Sequence, residues 1–141
     1  MLVAASRGDH PHHGVARDWL AQAMAAATRG ASLVLLPPVV VGLVRLVTHA
    51  RVFREPTPIG MAIAFAQALV RAPGVEVLPL GAEWPAVARL CETYGMTGND
   101  VADAWIAGAV LDHHEHLVTF DRGFRRLLPR SQVTVLEVDT G

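Results

Sequence analysis

Apolar and polar positions along this chain alternate between two periods. From His13 to Ala27, the residues Val15, Ala16, Trp19, Leu20, Ala23 and Ala27 share one helical face, and Gly30 supplies a stop. Leu33 to Leu36 is wholly apolar and too short for a helix, which predicts a buried strand. Pro37-Pro38 opens a second helix, Val39 to about Thr48, because proline is tolerated in a first turn. Pro58 opens a third, about Ile59 to Arg71, with Ala62, Phe65, Ala66 and Leu69 on one side and Pro73-Gly74 as its end. Val75 to Pro79 reads as a strand. Trp84, Val87, Ala88, Cys91 and Tyr94 make another helical stripe, closed by Gly95. A helix from about Asp100 to Asp112 follows, then strands at Leu117–Phe120 and Val133–Val138. Strands separated by helices predict an α/β fold with a parallel sheet covered on both faces. No repeat, linker or low-complexity run interrupts the pattern, so residues 1–141 read as one domain.

Composition narrows the classes. Of 141 residues, 52% are hydrophobic and 18% charged, with a formal net charge of -1, which excludes a disordered solvating chain. The longest apolar stretch, Ala31 to Val44, is broken by Pro37-Pro38 and Gly42. It falls short of the ~20 residues a bilayer needs, so no membrane span is expected. No secretory leader is visible, and the one cysteine, Cys91, fits a reducing cytoplasm. On its apolar stripe Cys91 reads as inert, and Trp19, Trp84 and Trp105 read as core. Every basic residue is arginine, the pattern of GC-rich coding in a bacterial source. With no net positive charge, any nucleic acid must be held by a local patch.

In parallel sheets chemistry gathers at the carboxyl ends of strands. Asp121 directly follows the strand that ends at Phe120, and Asp103 lies one turn into the preceding helix. A helix feeding the next parallel strand runs antiparallel to it, so its start lies near that strand's end. Asp103 and Asp121 therefore converge at one edge, with Asp100 in the same first turn as a third candidate ligand. Converging carboxylates suit a hard cation such as Mg²⁺. The same spacing also fits a capping box with Asp103 at its third position, and a turn or N-cap at Asp121. His10, His12 and His13, or His113, His114 and His116, offer imidazoles to a transition metal, or are solvated and capping groups.

Two segments carry a family resemblance: Asp100-Val101-Ala102-Asp103-Ala104-Trp105-Ile106-Ala107, and His116-Leu117-Val118-Thr119-Phe120-Asp121-Arg122-Gly123-Phe124. Together they resemble the C-terminal half of a PIN-domain ribonuclease, and more narrowly the VapC toxins of bacterial toxin–antitoxin pairs. Asp9-His10-Pro11-His12-His13 leading into Ala16–Leu20, and Gly42–Thr48 followed by Arg51-Val52-Phe53, agree in order along the chain. The resemblance implies a three-layer fold, parallel sheet between helices. It also implies a Mg²⁺- or Mn²⁺-dependent endoribonuclease leaving a 5′-phosphate and a 3′-hydroxyl, a cognate VapB-type antitoxin, and usually a homodimer. Asp103 and Asp121 match two of the family's clustered acids and take the catalytic and metal-holding roles, with Asp100 beside them. Arg45, Thr119, Arg122 and Arg125 become candidate RNA contacts, and Arg126 and Arg130 lie on the same stretch. Guanidinium groups there can hold phosphates bidentately, or form an ordinary solvated helix face, and Arg45 can instead pair with a carboxylate.

The departures set further expectations. The family's helix Glu falls at Gly42, which has no side chain to ligate anything. Its first Asp would lie just upstream of Met1, with the strand leading to it. A GTG valine codon read as a start would explain this, so the natural chain is expected to begin earlier. The chain as numbered is then expected either to use Leu2–Ala5 as a makeshift central strand or to lack that strand, and to be nearly inactive. The alternative function is a catalytically inactive PIN-like module that binds an antitoxin helix in its apolar grooves.

Overall fold

The computed structural model describes residues 1–138 of the chain. They form an α/β protein whose elements are α1 (Leu2–Ser6), α2 (His13–Ala27), β1 (Leu33–Leu35), α3 (Pro37–Val47), α4 (Ile59–Val70), β2 (Val75–Val77), α5 (Trp84–Tyr94), α6 (Asp100–Asp112), β3 (Leu117–Thr119), α7 (Phe124–Leu127) and β4 (Val133–Val135). These elements fall into two compact units, Met1–Pro79 and the residues from Leu80 on.

In the first unit, β1 and β2 pair in parallel, with Leu33 opposite Val75 and Leu35 opposite Val77. The crossover between them is α3 and α4, as parallel pairing requires. Helix α2 buries Ala16, Leu20 and Ala27, the face its period predicted. Helix α3 begins at Pro37 after an extended Leu36 and buries Leu43 and Val47. Helix α4 buries Ala62, Ala66 and Leu69 but leaves Ile59, Met61, Ile63 and Val70 exposed. Helix α3 adds Val41 to that exposed apolar surface.

In the second unit, β3 and β4 also pair in parallel, with Leu117 opposite Val133 and Thr119 opposite Val135. A core of Val87, Leu90, Met96, Ala104, Ala107, Val110, Phe124, Leu127 and Leu128 lies beneath them. Helices α5 and α6 form a hairpin, and Gly95 ends α5 in the left-handed conformation the sequence predicts. Contact between the two helices is close because α6 presents Ala104, Ala107 and Gly108. A Cβ at Gly108 would stand 2.7 Å from Val87 Cγ2 and 3.1 Å from its backbone nitrogen. Helix α6 ends at His113, where His114 turns left-handed. Gln132 Nε2 then donates to the carbonyls of Val110 and Glu115.

Two expectations need correction. Leu2–Ala5 is not a makeshift strand but part of α1, which buries Leu2, Ala4 and Ala5. The Ala5 N–H donates to the Met1 carbonyl and the Ser6 hydroxyl to that of Val3, so local helical bonding wins. The described strands form two two-stranded ladders, β1–β2 and β3–β4. Each is shorter than its apolar run, since only three residues on each side keep register. Trp84 is not core either. It stands 55% exposed at the first position of α5, with its ring tilted against that of Trp105 at 5.7 Å.

Two glycine substitutions should move stability in opposite directions. Gly108→Ala should cost about 1–3 kcal/mol, because β-branched Val87 and its backbone cannot both yield. Gly42→Ala, inside α3 where a Cβ meets nothing within 4 Å, should gain about 0.5–1 kcal/mol. Denaturant midpoints of the two variants check both signs.

Candidate active site

The site lies in the second unit, where β3 ends and α6 begins. After Thr119 the chain leaves the strand and folds back on itself. The Asp121 N–H donates to Thr119 Oγ1 at 3.1 Å, and the Gly123 N–H donates to Asp121 Oδ1 at 2.7 Å. This is a local side-chain turn, so the turn reading of Asp121 is realised. It also fixes the Asp121 carboxylate, and Gly123 fits closely, since a Cβ there would meet Oδ1 at 3.0 Å. The Thr119 hydroxyl is bonded to backbone, one of the two orientations the sequence allowed.

Asp100 and Asp103 occupy the first turn of α6, and no side chain caps that helix. The capping-box reading of Asp103 therefore fails. What surrounds Asp103 is electrostatic: burial first, then the charges of Asp121 and Asp100, push its carboxyl above the usual range. Asp121 and Asp100 thus both act on Asp103. The helix N-terminus favours their charge, but among the described residues no ion pair joins them to a basic side chain. Uncompensated carboxylates of this kind fit a divalent cation, which would supply the missing positive charge. Their oxygens do not form a trio within 4.8 Å of one another. Among the described residues, the group that does is Glu83, Asp112 and His113.

The arginines divide. Arg122 and Arg125 are exposed, and each places an Nη2 at 3.8 and 3.7 Å from Glu137 Oε1. Arg126 stands over the Tyr94 ring at 5.7 Å. In the first unit, Arg45 borders an apolar groove of about 600 Å³ lined by Val40, Val41, Val44, Ile63 and Val70. It pairs with no carboxylate among the described ion pairs.

The histidine runs do not assemble as ligand sets. His10 Nδ1 accepts the His12 N–H, and the His13 ring bonds the Ala4 carbonyl. The His116 ring ties β3 to β4 through the Ser131 carbonyl and Thr134 Oγ1. Sequence reasoning missed Glu83 altogether. This carboxylate is fully buried, accepting the Gly81 N–H at 2.9 and 3.0 Å and the Trp105 indole N–H at 2.7 Å. Burial pulls its carboxyl upward, but these donors, its own N–H and His113 outweigh that and hold it below the usual range. Its placement before Trp84-Pro85 looks like an ordinary helix start, so only the distant Trp105 reveals it.

Comparison with known proteins gives one consistent answer. A PIN domain profile matches residues 1–127. Ribonuclease VapC31 of Mycobacterium tuberculosis is 32% identical over 128 residues, spanning 89% of this chain and 87% of the relative. Ribonuclease VapC43 of the same organism is 35% identical over 127 residues, spanning 89% and 84%. Ribonuclease VapC25 is 32% identical over 134 residues, spanning 89% and 87%.

The raised Asp103 carboxyl has a signed consequence. Its neutral form is favoured on folding, so the stability it contributes is present below the unfolded aspartate value of about 3.9 and is lost as pH rises through the higher folded value. In EDTA, Asp103→Asn should therefore gain on the wild type as pH rises from about 4 to 7. Thermal unfolding at several pH values checks this. A constant loss of about 1 kcal/mol at every pH would instead mark a simple helix cap.

Proposed function

The chain belongs to the PIN-domain family, and from that premise we propose that it is the toxin ribonuclease of a VapBC-type pair, a metal-dependent enzyme that cleaves RNA phosphodiester bonds. The observation that carries this reading is the family match across residues 1–127, with VapC ribonucleases alike over nearly nine-tenths of the chain. Because that match runs through both compact units, we take residues 1–141 as one functional domain. Asp103 and Asp121, with Asp100 beside them, would hold Mg²⁺ or Mn²⁺. When bound, such an ion lowers the pKa of water and neutralises charge on a phosphate.

The chain's own groups supply positioning. The Asp121 carboxylate is fixed by the Gly123 N–H and, through its own N–H, by Thr119, so it keeps its aim without rearrangement. Arg122 and Arg125 share Glu137 only at long, exposed distances. Surface pairs of this kind are weak, so both guanidinium groups can turn to an RNA phosphate. Thr119 acts on Asp121 by accepting its N–H, which leaves the threonine hydroxyl free to donate to RNA.

A VapB-type antitoxin is the partner this reading requires. The groove between α3 and α4 suits an amphipathic helix: its walls are apolar, and Arg45 and Arg71 at its border favour an acidic polar face. The exposed Ile59 and Met61 on α4 support a homodimer contact, and the location proposed is the bacterial cytoplasm. No helix among the described residues is long and apolar enough to cross a membrane.

Cleavage of a labelled RNA in Mg²⁺ tests the assignment. Asp103→Asn and Asp121→Asn should each lower the rate by at least about 100-fold with unchanged circular dichroism, and EDTA should abolish cleavage. Arg122→Ala and Arg125→Ala should weaken RNA binding with a smaller effect on the rate at saturation. Undiminished cleavage by a pure Asp103→Asn protein would overturn the site.

A further inference from the structure

A second cluster of metal-binding side chains lies outside the candidate active site. Glu83 at the start of α5 and Asp112 and His113 at the end of α6 bring one carboxylate oxygen each and an imidazole nitrogen within 4.8 Å of one another. Two features distinguish it from a chance acidic patch. The donor set is mixed, two carboxylates and one imidazole. His113 Nε2 is also buried with no hydrogen-bond partner, although buried nitrogens are almost always satisfied.

The distances are informative. His113 Nε2 stands 3.9 Å from Glu83 Oε2. That is too long for a hydrogen bond, which needs about 2.7–3.2 Å. Two metal–ligand bonds of about 2.1 Å to one shared ion would span it. Glu83 is already oriented as metal-ligating carboxylates are, by outer donors: the Gly81 N–H and the Trp105 indole N–H. Oε2, which also accepts the Gly81 N–H, faces the imidazole. Asp112 is exposed and closes the set from the solvent side.

We propose that Glu83, Asp112 and His113 form a binding site for a transition-metal dication of the Zn²⁺ class. An imidazole with two carboxylates suits Zn²⁺ and its neighbours better than Mg²⁺, which prefers oxygen ligands throughout. Open on the Asp112 side, the site would bind one ion with water completing its shell. The ion ties the first turn of α5 to the last turn of α6. Because unfolding separates these ligands, binding stabilises the folded second unit by mass action. This inference is independent of the ribonuclease assignment.

The test uses the full chain with Asp103→Asn and Asp121→Asn already introduced, so that the candidate active site cannot supply the signal. Co²⁺ and Zn²⁺ are titrated separately by calorimetry, and Co²⁺ also by tryptophan fluorescence, since Trp105 touches Glu83. The expected result is one saturable equivalent, quenching by Co²⁺, a rise in melting temperature with Zn²⁺, and no competition from millimolar Mg²⁺. Adding His113→Asn should weaken binding at least tenfold, and Asp112→Asn severalfold. Asp112 is exposed, so its variant decides the matter if the His113 variant does not fold. Absence of saturable binding, or binding unchanged in the variants, overturns the proposal.

Discussion

Negative charge without a counter-charge is the constraint on which this site rests. Asp100 and Asp103 stand in the first turn of α6 and Asp121 just beyond β3; burial first, then the charges of Asp121 and Asp100, raise the cost of ionising Asp103. The helix terminus lessens that cost, and no described arginine removes it. Charge arranged in this way destabilises the empty protein and favours any dication that binds.

The rest of the second unit holds that arrangement in place. The small residues of α6 let it lie against Val87, while Phe124, Leu127 and Leu128 pack against the same core. Leu136 N–H donates to the Thr119 carbonyl just past the ladder, fixing the end of β3 before the chain turns to Asp121. Glu83 is the second charged anchor, joining the start of α5 to Trp105 within α6, and the two carboxyls differ in direction: that of Glu83 is stabilised as the anion, that of Asp103 is not.

Much of this was legible in the sequence because it is local. The bounds of α2, α5 and α6 follow from their apolar periods and from Gly95, and the nearness of Asp121 to Asp103 follows from strand-end geometry. The parts that were not legible depend on distant partners. Burial of Glu83 needs the indole of Trp105, 22 residues away, and nothing near Glu83 announces it. Trp84 looked like core by spacing, but its first-turn position leaves the ring at the surface. Leu2–Ala5 is expected as a makeshift strand only to fill a missing slot, and packing of a short apolar helix decides the matter.

The central claim is that Asp103 and Asp121 hold the ion that the ribonuclease uses. Crystals of the full chain grown or soaked in Mn²⁺, with anomalous diffraction measured, test this most directly. The account predicts an anomalous peak in contact with both the Asp103 and the Asp121 carboxylates, at bond lengths of roughly 2.1–2.2 Å. Well-ordered carboxylates more than about 8 Å apart, with no peak between them at saturating Mn²⁺, would contradict it, since two such bonds cannot span that distance.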